Sequence, residues 1–472
     1  MAGKRKGPIG PTVYDGTVVV VGAGVAGLVT AHLLAEAGCK VVVIEKLPVL
    51  GGLARSYVYD GFVFDIGPHR FHTANPNVNA YVERILKDDG TRFPRLSEVY
   101  FQGKYYNWPL KPKNLTQLPP QLAARAFVDL AMNQFKTHNT ETFEGYVLNQ
   151  YGQTLYENFF KDYSIKFMGI HPRDTHSDWA KVGLNRAIID EKLQMNNLAQ
   201  LAKTTLMQAQ KVDVDFVYPR NGMHQTWSRI ADQFRALGGR IILGTGAELE
   251  GSGDRITAVR AGREVFEPSV VIWTAPITLA MSQLELPAVK LNYLGLLLYN
   301  VLMRGTPDRP YQWCYYGQKD LVFNRISVPR YFSTDTCPPN TTGLCVEVTC
   351  MEGDDRWKGA EGLTGWVVDD LLRVGFIKSR SDVLDVRVER IGDSYPIYHK
   401  HYPVELEKAR KSLQPYTNLH LAGRTGLFWY NNMDHSLENA MQLSKRLLRA
   451  AGRADVEESL LAAGQLAARP AA

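Results

Sequence analysis

Two hydrophobic periods alternate along this chain, and the switches between them mark its elements. Val18–Val21 is an unbroken apolar run, the pattern of a strand buried on both faces. It leads straight into Gly22-x-Gly24-x-x-Gly27, then a helical pattern, then a second apolar run, Val41–Ile44, that ends on Glu45. Residues 76–221 carry mostly helical spacing: Asn77–Leu86, the run after Pro119-Pro120 to Phe135, Thr142–Tyr151 and Lys192–Gln210. Gly222 to Gly239 reads as another helix, with Trp227, Ile230, Ala231 and Phe234 at helical spacing. Arg240–Gly244 and Val270–Ala275 read as strands that return to the first unit. Residues 290–355 are strand-rich, with Leu291–Met303, Leu321–Ile326 and Gly343–Cys350 suggesting an antiparallel sheet. A strand (Leu419–Ala422), a Gly-Arg turn and a long helix to Leu448 follow. The Ala-rich end, Asp455–Ala472, reads as a surface helix fraying into a tail.

The strand–glycine–helix–strand unit carries chemistry. Gly22 allows a tight turn, Gly24 lets the backbone approach a pyrophosphate, and Gly27 lets the helix pack on the strand. The helix N-terminus then offers free N–H groups and the positive end of its dipole. Glu45, at the end of the second strand, can accept from a ribose diol. Six residues later comes a second pair, Gly51-Gly52, followed by Leu-Ala-Arg-Ser. A nicotinamide enzyme has no general need for it. A longer FAD lying across the sheet edge does, so the pattern predicts FAD.

The predicted fold class is therefore α/β: a Rossmann-type FAD-binding domain with a helical insertion and an antiparallel-sheet substrate domain. The discontinuous FAD-binding domain takes residues 12–75, 222–285 and 418–450. The insertion takes 76–221, the substrate domain 286–417 and the tail 451–472.

Composition narrows the picture. The 472 residues suggest two or three packed units, and 45% apolar with 22% charged residues is an ordinary globular mixture. The net charge of +6 is not gathered into the basic faces of a nucleic-acid reader and suits an anionic ligand. Lys4-Arg5-Lys6 is not followed by an apolar segment with a cleavage site, and the glycines within the apolar stretch from Val18 argue against a membrane span. Five cysteines without a CxxC pattern point to reduced thiols and no metal site. A cytoplasmic protein is expected.

The loop Gly67-Pro68-His69-Arg70-Phe71-His72 brings in a family. With it, the chain resembles UDP-galactopyranose mutase and its relatives, which share the wider FAD superfamily of amine oxidases. Four further stretches agree: Phe159–Gly169 with Tyr163 and Lys166, Tyr218-Pro-x-x-Gly222-Met223, Phe323-Asn-Arg325-Ile326, and Gly423-Arg424 through Tyr430 to Asn432-Met433-Asp434. The resemblance runs from about Val18 to about Leu448. It implies an isomerase of carbohydrate biosynthesis that interconverts a nucleotide-diphosphate hexopyranose and its furanose. Reduced FAD would act through N5 as the nucleophile on the anomeric carbon, with no net redox. It implies His69 and Gly67 beside the flavin, and flavin contacts from Gly423, Asn432 and Met433. Arg325 and Arg424 become the diphosphate clamps, suited to phosphate by the planar guanidinium fork. Tyr163, Tyr218 and Tyr430 become substrate contacts, with Arg186 a third arginine candidate. The partners expected are a UDP- or GDP-hexose and an electron donor. Neither nucleic acid nor membrane is expected, and a homodimer is one open form.

The chain departs from the family where substrate contacts lie. Met168 stands where Trp is usual, Phe323 where Tyr is usual, Asn300 near a common arginine, and Trp429 in place of a basic residue. These changes put UDP-galactose itself in doubt and leave room for a GDP-linked or deoxy hexose. Two other readings stay open: a net oxidoreductase of the amine-oxidase or protoporphyrinogen-oxidase type, and a non-catalytic protein on the same fold.

Overall fold

The computed structural model describes residues 16–108, 118–133, 135–181 and 216–452. Within them, Leu419–Leu421, Pro268–Trp273, Thr17–Val21, Lys40–Ile44 and Arg240–Ile242 form one parallel sheet, in that spatial order. Numbered along the chain, the order is 5-4-1-2-3, that of a doubly wound nucleotide-binding sheet. Its crevice opens at the carboxyl end of the first strand. The apolar run at Val18–Val20 is fully buried because both faces are covered. Val18 and Val20 meet the helix Val25–Glu36 and the closing helix Met433–Ala450, and Val19 and Val21 meet the opposite core. The first helix is itself enclosed, with every residue from Ala26 to Ala35 buried.

Two glycine approaches hold this unit together. A Cβ on Gly27 would sit 2.0 Å from the Gly22 carbonyl oxygen, so the helix can lie on the turn only with hydrogen there. Gly52 has φ +54°, and its Cβ would meet the Gly24 Cα at 2.9 Å. The two glycine segments are knitted directly, Gly51 N–H donating to the Ala23 carbonyl at 2.9 Å.

A second sheet carries seven strands in the order Val383–Pro396, Tyr293–Arg304, Thr341–Cys350, Arg325–Ser327, Trp313–Tyr316, Ser97–Phe101, Lys104–Asn107. It differs from the expected sheet in three ways. Two strands come from residues 97–107, inside the span read as mostly helical. Ser97–Phe101 pairs parallel with Trp313–Tyr316, so the sheet is mixed rather than purely antiparallel. And the segment expected as Leu321–Ile326 is a strand only over Arg325–Ser327. Its first part is held by side chains instead of a ladder: Val322 N–H donates to Asp370 at 2.7 Å, and the Phe323 carbonyl accepts from Lys166. The expected helices at 77–86, 120–135, 142–151 and 222–239 are present as Pro76–Leu86, Pro120–Asn133, Phe143–Leu155 and His224–Ala236. The expected helix Lys192–Gln210 lies outside the described residues.

Among the described residues, no helix is long and apolar enough to cross a membrane, and no cluster of metal ligands is present. All five cysteines are buried free thiols.

Gly27→Ala is expected to destabilise the protein by about 1–3 kcal/mol, because the helix must lift off the turn to admit the methyl group. Flavin content should fall with it. Chemical denaturation and the 450 nm absorbance of the purified variant measure both. Wild-type values would show that the Gly22–Gly27 approach is not a constraint.

Candidate active site

The crevice between the two sheets holds a cavity of about 310 Å³. It begins at Leu53, next to the Gly51-Gly52 pair, and is walled by the Pro68–His69 loop, Leu296, Arg325, Tyr395, Arg424, Tyr430 and the start of the closing helix at Asn432-Met433. The structure thus gathers His69, Arg325, Arg424, Tyr430, Asn432 and Met433 from three separate stretches of sequence.

The loop is built tightly. Gly67 has φ +80°, and a Cβ there would lie 2.9 Å from Arg325 Nη2 and 3.0 Å from Glu347 Oε1. His69 N–H donates to the Gly67 carbonyl at 2.9 Å, and His69 Nδ1 is buried with no hydrogen-bond partner. Burial first, then the positive charges of Arg424, Arg325 and Arg70, push the His69 pKa down to about 3. The imidazole is therefore neutral across the working pH range.

Arg325 does not present an open fork. Its Nε and Nη2 donate to the two Glu347 oxygens at 2.6 Å each, and Nη2 also reaches the Tyr395 hydroxyl at 3.3 Å. Burial disfavours its charge, but Glu347 more than offsets this and holds the guanidinium pKa above its usual value. The expected diphosphate clamp at Arg325 is in this structure an internal ion pair. Arg424 is different. It donates Nη1 to the Ser394 carbonyl at 3.1 Å and Nη2 to the Asn431 carbonyl at 2.5 Å, and lies over the rings of Tyr395 and Tyr430. No described carboxylate pairs with it, so its charge is available to the cavity.

Tyr430 stacks on Trp179 at 4.7 Å and meets Tyr395 edge-on at 5.5 Å. Tyr163 is half-buried outside the cavity wall, stacked on Phe167 and edge-on to Tyr315. Lys166 of the same helix donates to the carbonyls of Tyr316, Gln318 and Phe323, which staples the helix to the second sheet. Arg186 lies outside the described residues.

Several expected contacts are elsewhere. Tyr218 lines no part of the cavity: it is 1% exposed and its hydroxyl donates to Asp65 at 2.7 Å. Asp65 also accepts from Ser56 and from Met223 N–H, so Tyr218 belongs to a buried brace behind the loop. Met168, Phe323 and Asn300 are fully buried and line no part of this cavity. Trp429 packs on His435. Three residues not anticipated from sequence do line the cavity: Tyr395, Arg70 and Arg95. Arg70 occupies the variable position of the His69 loop, and Tyr395 ends a strand whose alternation (Val383, Asp385, Arg387 against Leu384, Val386, Val388) was readable. Nothing local marks Arg95.

The glycine cradle fits a dinucleotide. Gly24 caps the first helix without a side-chain hydrogen bond, and no acidic residue occupies the first turn, so the N-terminal N–H groups are open to a phosphate. Glu45 accepts from Ala23 N–H at 2.7 Å and Leu47 N–H at 2.9 Å, which fixes its carboxylate at the strand ends. Gly423 packs against the same helix, its Cβ position 3.3 Å from Ala26 Cβ.

The family model of flavin-containing amine oxidoreductases matches residues 25–425. The chain belongs to this family. It is thus an enzyme of the FAD-binding amine-oxidase superfamily with a flavin cofactor. The curated relatives include a probable UDP-galactopyranose mutase of Klebsiella pneumoniae, 31% identical over 33% of this chain and 42% of that protein. They also include tryptophan 2-monooxygenase of Pseudomonas savastanoi (33% over 23% of this chain and 20% of that protein) and dTDP-fucopyranose mutase of Escherichia coli (28% over 33% and 43%). The chain spans less than half the length of these relatives. Among solved structures, reduced UDP-galactopyranose mutase superposes with a TM-score of 0.78 at 20% identity, covering 96% of this chain and 97% of that one. That similarity gives the fold of the amine-oxidase family member described here.

Two outcomes test this geometry. The His69 resonance should not titrate between about pH 5 and 9 in histidine-detected NMR of the flavin-loaded protein, since its folded pKa is depressed. A midpoint near 6.5 would mean the loop is open to water. Glu347→Gln should cost about 3–5 kcal/mol in equilibrium unfolding, because it strands a buried guanidinium. A cost below 1 kcal/mol would show that Arg325 has another partner ready.

Proposed function

We propose that this flavoenzyme is an isomerase that interconverts a nucleotide-diphosphate hexopyranose, a UDP- or GDP-hexose, and its furanose form. The observation that carries the reading is the cavity beside the His69 loop, lined by Arg70, Arg95, Arg325 and Arg424, which suits a doubly charged diphosphate far better than an apolar amine. Bound FAD in its reduced form would supply a nucleophilic nitrogen, N5, for the anomeric carbon. The protein's own residues do the rest. Arg424 neutralises the leaving diphosphate with the N–H groups that its two carbonyl partners leave over. Tyr430 and Tyr395 hold the guanidinium flat and wall the sugar from water. Neutral His69 offers a hydrogen bond without adding charge, and Gly67, Asn432 and Met433 bring backbone close to the flavin. Glu45 takes the ribose of the cofactor, and Gly423 lets the adjoining turn approach it.

An oxidoreductase of the amine-oxidase type is the second reading, because tryptophan 2-monooxygenase stands among the relatives. It calls for an apolar substrate cavity, and four arginines oppose that.

Replacement of FAD by 5-deaza-FAD separates the two. Carbon at position 5 lacks the lone pair but still permits hydride transfer, so a mutase loses activity and an oxidase need not. Conversion of a nucleotide-hexopyranose to its furanose, followed by chromatography with and without dithionite, is the assay. Full activity with oxidised FAD, or stoichiometric oxygen consumption, would overturn the mutase reading. Arg424→Ala should retain FAD and lose about 2–4 kcal/mol of transition-state stabilisation, read from kcat/KM. Unchanged turnover would remove Arg424 from the site.

A further inference from the structure

We propose that Arg70 and Arg95 form a second anion subsite of the cavity, which takes a phosphate or carboxylate oxyanion of the substrate. The inference rests on the nucleotide-sugar reading and adds the residues that carry the charge recognition.

Only part of the cavity's positive charge is where the family motifs place it, at Arg424. Arg325 is neutralised by the bidentate Glu347 pair. Arg70 is not: among the described residues no carboxylate lies within ion-pairing distance of it, and its one protein hydrogen bond runs from Nη1 to the Pro68 carbonyl at 2.8 Å. Aromatic faces hold it in place, Trp313 at 4.5 Å and Phe216 at 4.9 Å from the guanidinium carbon. Arg95 lies over the same Trp313 ring at 5.4 Å, and its Nε donates to Ser97 Oγ at 3.0 Å. Two guanidinium groups thus pack on one indole ring and both line the cavity.

Their order along the cavity follows from which charges each histidine feels. His69 is influenced by Arg424, Arg325 and Arg70, and His72 by Arg70 and Arg95. The cations therefore form a track from Arg424 past Arg70 to Arg95. Desolvated like charges repel, and an anion bound beside Arg70 relieves that repulsion. Cation–π seating fixes each guanidinium plane in advance, so little side-chain freedom is lost when an oxyanion arrives.

The test is calorimetric titration of the flavin-loaded full chain with UDP, GDP, inorganic pyrophosphate, and UDP- and GDP-linked uronates. Arg70→Gln and Arg95→Gln should each weaken the tightest of these by about tenfold or more, with FAD content and melting temperature kept. Arg70→Lys should recover part of the loss, since it keeps charge without the fork. Loss of UDP, GDP and pyrophosphate affinity assigns the subsite to a phosphate. Loss confined to the uronates assigns it to a sugar carboxylate. Unchanged affinity for every probe in both Gln variants overturns the subsite. If the wild type binds pyrophosphate but no nucleotide, and Arg70→Gln abolishes it, the nucleotide-sugar reading falls and the subsite stands. Binding of no probe by the wild type overturns both.

Discussion

The bidentate pair between Arg325 and Glu347 is the joint on which the site depends. The two residues face each other across adjacent antiparallel strands, so their separation is set by the ladder and not by flexible reach. The flavin-side loop passes directly over them, close enough that Gly67 can carry no side chain. One ion pair therefore fixes the height of the loop above the second sheet and, through it, the position of His69. It also anchors the Tyr395 hydroxyl, against whose ring Arg424 lies. A buried pair of this kind is weak evidence for added stability, because desolvation consumes most of the Coulombic gain. Its value here is geometric: within the seven-stranded sheet it sets the platform over which the Gly67–His69 loop passes.

What the chain disclosed in advance follows the same physics. The first strand–helix–strand unit was legible because its glycines answer a backbone requirement, and such a requirement is written at single positions. Gly22, Gly27, Gly51 and Gly52 all sit where a Cβ would collide. Arg424 and Tyr430 were legible because they follow the carboxyl end of a strand of the parallel sheet, where such sheets bind their ligands. Motif register was a poorer guide elsewhere. It gives a place along the chain but not the direction of a side chain. Phe323 sits in a segment whose backbone is satisfied by Asp370 and Lys166, which turns its ring into the core against Tyr316. Tyr218 is claimed by Asp65, a partner 153 residues away in sequence that no local pattern announces. The strands at 97–107 were hidden for a related reason: their apolar partners lie across a parallel pairing with Trp313–Tyr316, far along the chain.

The electrostatics of the cavity place a last constraint on any chemistry done there. Arg70 and Arg95 have pKa values lowered by burial and by neighbouring cations, Arg95 to about 10. They remain charged at neutral pH, so the site is positive before anything binds. A protonated His69 would add to that field, and burial together with three guanidinium groups forbids it. The wall tyrosines Tyr395 and Tyr430 are shifted upward by burial and so hold their protons. The wall of the cavity thus offers neutral hydroxyl donors, a neutral imidazole and fixed cations. Such a wall is suited to stabilising negative charge on a leaving group, which is what the proposed reaction asks of it.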